Sequence, residues 1–265
     1  MGTHRRDWVA GVSLLLLLCG AMPCQSAEIE KLADGKIRPS GVPGLEEAYL
    51  PIVFPSSHAA NLLALPNGDL LCTYFSGRWE GESGVAIVVA RLAHGSRQWD
   101  KPSIAAHKEG WSFQNPVLFS PPGGPLWLIH TSQGAGAGQS HSHMFYLTSS
   151  DNGRTWSEPK LLFSEAGAFD RQRLVVAVEE WLLPMYFTPS RGITTNAGSN
   201  YSVVQVSRDR GRTWKTCPIP KSGGLVQPDV VQLGPGKFLA FFRSRYADWV
   251  YKSESKDGCA WTAPE

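Results

Sequence analysis

The chain has 265 residues, 42% of them hydrophobic and 18% charged, with 27 Gly, 19 Pro and 10 Trp. That composition is globular, neither disordered nor collagenous. Its 25 basic and 23 acidic residues leave a formal charge of +2, so no global field draws it to nucleic acid or to an anionic membrane. Abundant Trp and Gly with few Leu/Lys/Glu-rich stretches exclude an all-helical protein and point to many short strands joined by turns.

Residues 1–27 carry Arg5 and Arg6, an apolar run over residues 9–19 and the small-residue stretch Gln25-Ser26-Ala27. This is the three-part pattern of a secretory signal, too short and wrongly flanked for a membrane span. Cleavage near Ala27 leaves residues 28–265 as one mature domain, secreted or periplasmic. No later window reaches the roughly 18 uninterrupted apolar residues of a membrane span. The mature part holds Cys72, Cys217 and Cys259, an odd number that is no disulfide framework. One bridge with a free thiol and three buried thiols both stay open. The second is preferred, because Cys72 lies inside an apolar strand pattern.

Two octamers further along match closely. Ser149-Ser150-Asp151-Asn152-Gly153-Arg154-Thr155-Trp156 and Ser207-Arg208-Asp209-Arg210-Gly211-Arg212-Thr213-Trp214 both read S-x-D-x-G-x-T-W. A third copy, Ser255-Lys256-Asp257-Gly258-Cys259-Ala260-Trp261, has lost one residue, and a decayed fourth over residues 91–99 keeps only Gly95 and Trp99. Trp99, Trp156, Trp214 and Trp261 recur at intervals of 57, 58 and 47 residues, a spacing that suits one four-stranded propeller blade per repeat. Each copy follows a turn that feeds a short apolar strand: Pro66-Asn67-Gly68-Asp69-Leu70-Leu71, Gly123-Gly124-Pro125-Leu126, Glu179-Glu180-Trp181-Leu182 and Gly234-Pro235-Gly236-Lys237-Phe238. Gly-rich and Asn-Gly dipeptides supply the positive φ of tight hairpins. Within the octamer, the Asp accepts backbone N–H bonds, the Gly permits a left-handed backbone and the Trp staples the turn to the blade.

The octamer resembles the Asp-box, or BNR repeat, of sialidases and related propellers, and the resemblance runs over residues 50–265. It implies an all-β fold, a β-propeller of the six-bladed sialidase type, here incomplete with about four blades. Truncation is the preferred explanation; a partner chain that completes the propeller and a smaller irregular propeller are the alternatives. In the family the box lies on the periphery, so Asp151, Asp209 and Asp257 are read as structural.

Sialidases release terminal sialic acid with an arginine triad for the substrate carboxylate, an acidic proton donor, and a Tyr nucleophile activated by Glu, an exception to the usual carboxylate pair. Arginine suits a carboxylate because its planar fork binds it bidentately. By this resemblance Arg243, followed by Arg245, is the candidate carboxylate ligand, against a surface arginine paired with an acid. Gln227 stands at the activating Glu's position and cannot act as a base; Asp229, two residues on and hence on the same strand face, is its candidate substitute. The first triad arginine is missing from residues 54–60, where His58 is offered as a ligand to an anionic or hydroxyl-rich group. The loop Gly77-Arg78-Trp79-Glu80-Gly81-Glu82-Ser83-Gly84 corresponds to the acid/base region. Related proteins place an Asp where Gly84 stands, and Glu80 and Glu82 are the replacements, beside Arg78. Tyr186 is expected to face the central cavity, away from the family's nucleophile position.

The pair His141 and His143 reads as a polar loop rather than a metal site. No nucleotide-binding Gly-Lys-Ser/Thr loop, His-Glu-x-x-His motif or Gly-x-Ser-x-Gly elbow occurs, so neither a cofactor nor a metal is expected. The sequence also holds a glycosylation sequon, Asn200-Tyr201-Ser202. Two functions emerge: an exo-acting glycoside hydrolase of the sialidase class acting on glycoconjugates, and a non-catalytic propeller that binds glycans or proteins.

Overall fold

A computed structural model describes residues 31–177, 180–189 and 197–265. The secretory-type segment 1–27 and the turn residue Glu179 lie outside the described residues. The chain folds into four antiparallel blades in sequence order. The first consists of Ser56–Ala64, Leu70–Gly77, Ala86–Leu92 and Ser103–Ala106. The second is Trp111–Phe119, Leu126–Gly134, His143–Ser149 and Lys160–Phe163. In the third, an interrupted inner strand, Ala168–Phe169 and Val175–Ala177, precedes Glu180–Phe187, Tyr201–Ser207 and Lys215–Pro218. The fourth has Leu225–Gly234, Lys237–Ser244 and Val250–Ser255. Beside its third strand, backbone bonds of 2.9–3.0 Å from Thr262 and Glu265 to Glu254 and Lys252 begin a fourth. The fold is the all-β, four-bladed propeller arrangement that the repeats imply.

The apolar strand faces pack blade against blade. Leu71, Phe75 and Ile87 of the first blade meet Phe113, Leu118 and Leu128 of the second. Phe119, Ile129 and Met144 meet Trp181, Leu183 and Met185. Leu182, Val204 and Val206 meet Val230, Ala240 and Phe242. A segment ahead of the first blade lays Leu50 and Val53 on that blade's other face, against Cys72, Tyr74 and Val88.

Each box staples one of these interfaces, at the end of the blades opposite the second-to-third-strand loops. Asp151 Oδ1 accepts the N–H groups of Arg154 and Thr155 at 3.0 and 2.9 Å, and Asp209 repeats this with Arg212 and Thr213 at 3.0 and 2.8 Å. In the shortened third copy, Asp257 reaches the amides of Cys259 and Ala260 at 2.9 and 2.7 Å, one residue earlier in the chain. The box tryptophans Trp156, Trp214 and Trp261 pack into the three interblade cores, one in each. These bonds hold the Asp151 carboxyl far below the ordinary carboxylate range, the Thr155 hydroxyl contributing most.

The box glycine touches the preceding blade. Gly153 has φ +77°, and a Cβ there would stand 2.8 Å from Leu71 Cδ1, on a side chain that is fully buried. A left-handed alanine and an overpacked core each cost about 1–2 kcal/mol. Gly153→Ala is therefore expected to lower stability by about 3 kcal/mol in urea denaturation; a loss under about 1 kcal/mol would separate the box from the interface it is said to fix.

Cys217 and Cys259 form a disulfide, with Cα atoms 4.9 Å apart, and Cys72 is a buried free thiol. This corrects the expectation of three buried thiols. The outer strand of the third blade and the shortened box of the fourth are neighbours in space, which an apolar strand pattern around Cys72 does not reveal. Among the described residues no helix is long and apolar enough to cross a membrane.

Candidate functional site

Inner strands that alternate without interruption would point every second side chain at a neighbouring blade. Three of them break the alternation at one level. Ala59, Asn115 and Gln227 have φ of +59°, +48° and +54°, each at a register shift within its strand pair. A bulge re-aims the side chains around it, and holding a non-glycine residue in the left-handed region costs on the order of 1–3 kcal/mol. In the third blade the gap between the two inner pieces falls at the same level and contains Asp170 and Arg171.

The bulges and the second-to-third-strand loops surround a cavity of about 890 Å³. The first blade contributes His58 and Glu80, and the second Gln114, Asn115, Gln133 and the 136–140 loop. The third supplies Arg171, Tyr186, Thr188 and Asn200, and the fourth Gln227, Arg243 and Arg245. Of the residues singled out in the sequence, His58, Glu80, Tyr186, Gln227, Arg243 and Arg245 thus share one cavity.

Arg78, Glu82 and Asp229 do not line it. Arg78 and Glu82 are exposed on the Gly-rich loop, whose Gly81 carbonyl accepts the Gly136 amide at 3.2 Å and so carries Glu80 to the rim. Gly84 sits at φ +83°, where an aspartate would be strained. Asp229 and Gln227 were expected on one strand face. The left-handed turn at Gln227 breaks the two-residue period, so Gln227 enters the cavity while Asp229 lies exposed outside it.

Three guanidinium groups, from Arg171, Arg243 and Arg245, face this space, and among the described residues none has an ion-pair partner. Arg245 donates to Gln139 Oε1 at 3.1 Å, while its buried Nε has no partner among the described residues. Arg171 reaches across to the Ala60 carbonyl at 3.5 Å. Among the described residues Glu80 is the one carboxylate of the lining. Tyr186 stacks on Phe169 at 5.2 Å; burial pushes its phenol up to about 12, against the pull of Arg245 and of a hydrogen bond with Gln227.

Beside Arg171, Asp170 is fully buried, and among the described residues neither carboxylate oxygen has a hydrogen-bond partner. Burial pushes its carboxyl up to about 8, only partly offset by its own backbone and by Arg171. The group is a neutral acid at neutral pH, which leaves the adjacent guanidinium uncompensated.

Arg171, Asp170, Gln114 and Gln133 escaped the reading of the sequence. A signal existed for the bulges: Ala59, Asn115 and Gln227 each precede Leu70, Leu126 and Phe238, the openings of the next apolar strands, by the same interval. Asn200 is buried and donates to the Ala197 carbonyl at 2.8 Å, so the sequon's amide is turned into the protein. Among the described residues no group of three or more His, Cys, Asp and Glu gathers as a metal site.

The four-bladed Asp-box propeller arrangement is a sialidase-like fold. Residues 68–265 match the BNR repeat-like domain, and the chain belongs to that family. Its fold is similar to a Hadza microbial sialidase (TM-score 0.67, 18% identity, 79% of this chain and 46% of that one). It is also similar to Trypanosoma rangeli sialidase (0.65, 15%, 88% and 41%) and to the NanB sialidase of Streptococcus pneumoniae (0.66, 12%, 88% and 54%). The chain thus spans about half the length of these solved sialidases. No curated protein matches it in sequence.

Proposed function

We propose that the cavity binds the terminal acidic sugar of a glycoconjugate, sialic acid or a relative, and that an exported protein hydrolyses the bond to it. The carrying observation is the placement of Arg171, Arg243 and Arg245 in one cavity with Glu80. Three unpaired guanidiniums favour a carboxylate by charge and by bidentate geometry. The rim carboxyl of Glu80 is the candidate proton donor to the leaving oxygen. The Cys217–Cys259 bridge supports an oxidising compartment, in keeping with the secretory-type segment.

A second reading, binding without turnover, is favoured by one feature of the site. Beside the Tyr186 hydroxyl stands the Gln227 amide, which cannot take its proton. The test is hydrolysis of an aryl sialoside. Turnover by the wild-type chain is expected to fall at least about a hundredfold in kcat for Glu80→Gln, with Arg243→Ala raising KM. Tight binding of sialic acid with no turnover would leave the second reading standing; turnover indifferent to both substitutions would remove the roles given to Glu80 and Arg243.

A further inference from the structure

A second hollow, of about 500 Å³, lies on the first blade and differs from the cavity in its chemistry. Leu50, Pro51, Ile52 and Phe54, from the segment ahead of that blade, line it together with Cys72 and Tyr74. Among the described residues no Asp, Glu, Lys or Arg does so. Ile52 is 51% exposed, so half of an apolar side chain stays in water here.

The two spaces meet at the bulge of the first inner strand. His58 lines both. Ala59, at φ +59°, and Ala60 line the hollow, while Arg171 reaches the Ala60 carbonyl from the cavity at 3.5 Å. The inner strand opens at Ser56, in register with Gly77, where the loop that carries Glu80 begins. The apolar segment 50–55 therefore joins its strand beside the loop of the candidate proton donor.

Resting on the acidic-sugar reading above, we propose that this hollow takes a hydrocarbon chain on the leaving side of the glycosidic bond, so that the substrate is an acidic sugar joined to a lipid-like aglycone. A proton donor must stand within hydrogen-bond reach of the leaving oxygen. Glu80 belongs to the first blade, whereas the guanidiniums for the carboxylate come from the third and fourth. The leaving group therefore departs on the first blade's side, where the hollow begins at His58. A charged or hydroxyl-rich aglycone would give up water there without a partner. A hydrocarbon chain gains instead, since each methylene taken out of water is worth about fourfold in affinity.

The experiment is calorimetric titration of the full chain with the methyl, butyl and octyl α-thioglycosides of N-acetylneuraminic acid, whose sulfur linkage resists turnover. Affinity is expected to climb with chain length, the octyl form binding at least about tenfold more tightly than the methyl form. The Ile52→Ser/Phe54→Ser double variant is expected to cut that ratio below about threefold and to leave the methyl form's affinity unchanged. Arg243→Ala is expected to weaken all three alike and preserve the ratio. Equal binding of the three by the wild-type chain overturns the proposal and leaves the acidic-sugar reading intact. A ratio unchanged in a folded double variant, checked by its thermal melt, also overturns it. Failure of the wild-type chain to bind any of the three removes both readings together.

Discussion

Reduction of the Cys217–Cys259 bridge is expected to cost the protein about 4 kcal/mol of unfolding free energy. The bridge closes a loop across a sequence separation of 42 residues, and in the chain-entropy treatment a loop of that length restricts the unfolded ensemble by this amount. Its placement adds a local effect. Cys217 is fully buried in the outer strand of the third blade, and Cys259 supplies one of the amides that Asp257 accepts in the shortened box. Opening the bridge therefore loosens the turn that seats Trp261 between the third and fourth blades. Urea denaturation with and without reductant measures the effect, and the Cys217→Ser/Cys259→Ser double variant serves as control. The wild-type midpoint should fall to that of the variant, and the variant should ignore the reductant. A wild-type midpoint that reductant does not move would mean that the two sulfurs are not bridged in solution.

Much of the scaffold is legible in the sequence because its determinants are local. Asp151 and Asp209 bind amides three and four residues away, so S-x-D-x-G-x-T-W is a complete statement of the turn it forms. The turns and apolar runs likewise carry their own instructions. The cavity is different, because its members come from four blades and meet only when the blades pack. Arg243 and Arg245 are readable through their place ahead of the third box, and Glu80 through its Gly-rich loop. Arg171 has no motif around it; it becomes visible only when the gap in the third inner strand is set beside the bulges of the other three. The same bulges defeat the two-residue period that grouped Asp229 with Gln227, since one left-handed residue exchanges the faces of everything after it. The disulfide joins residues with no shared local pattern at all.

Asp170 supplies the larger of the two stability effects, and its sign is opposite to that of most carboxylates. In the native protein its carboxyl keeps its proton up to about pH 8, whereas unfolded it ionises near 3.8. Between those values the native state binds the extra proton, so stability falls as pH rises, and it levels off above about 8. At 1.36 kcal/mol per pH unit the whole window corresponds to a loss on the order of 5 kcal/mol. Part of that window is masked. Burial holds the His130 imidazole down to about 4, so its contribution rises with pH up to the ordinary histidine range and opposes Asp170 there. The interval from pH 6.5 to 8 isolates the carboxyl, with an expected loss of about 2 kcal/mol. Asp170→Asn should flatten this interval in urea titrations at the two pH values. A variant that loses as much stability as the wild type would show that Asp170 is not the titrating group. The same ionisation bears on the cavity. The neutral acid leaves Arg171 free to meet a ligand carboxylate, and a charged one would compete for it. Binding of an acidic sugar should accordingly weaken above about pH 8 in the wild-type chain and not in Asp170→Asn, so a buried group that touches no ligand sets the alkaline limit of the site.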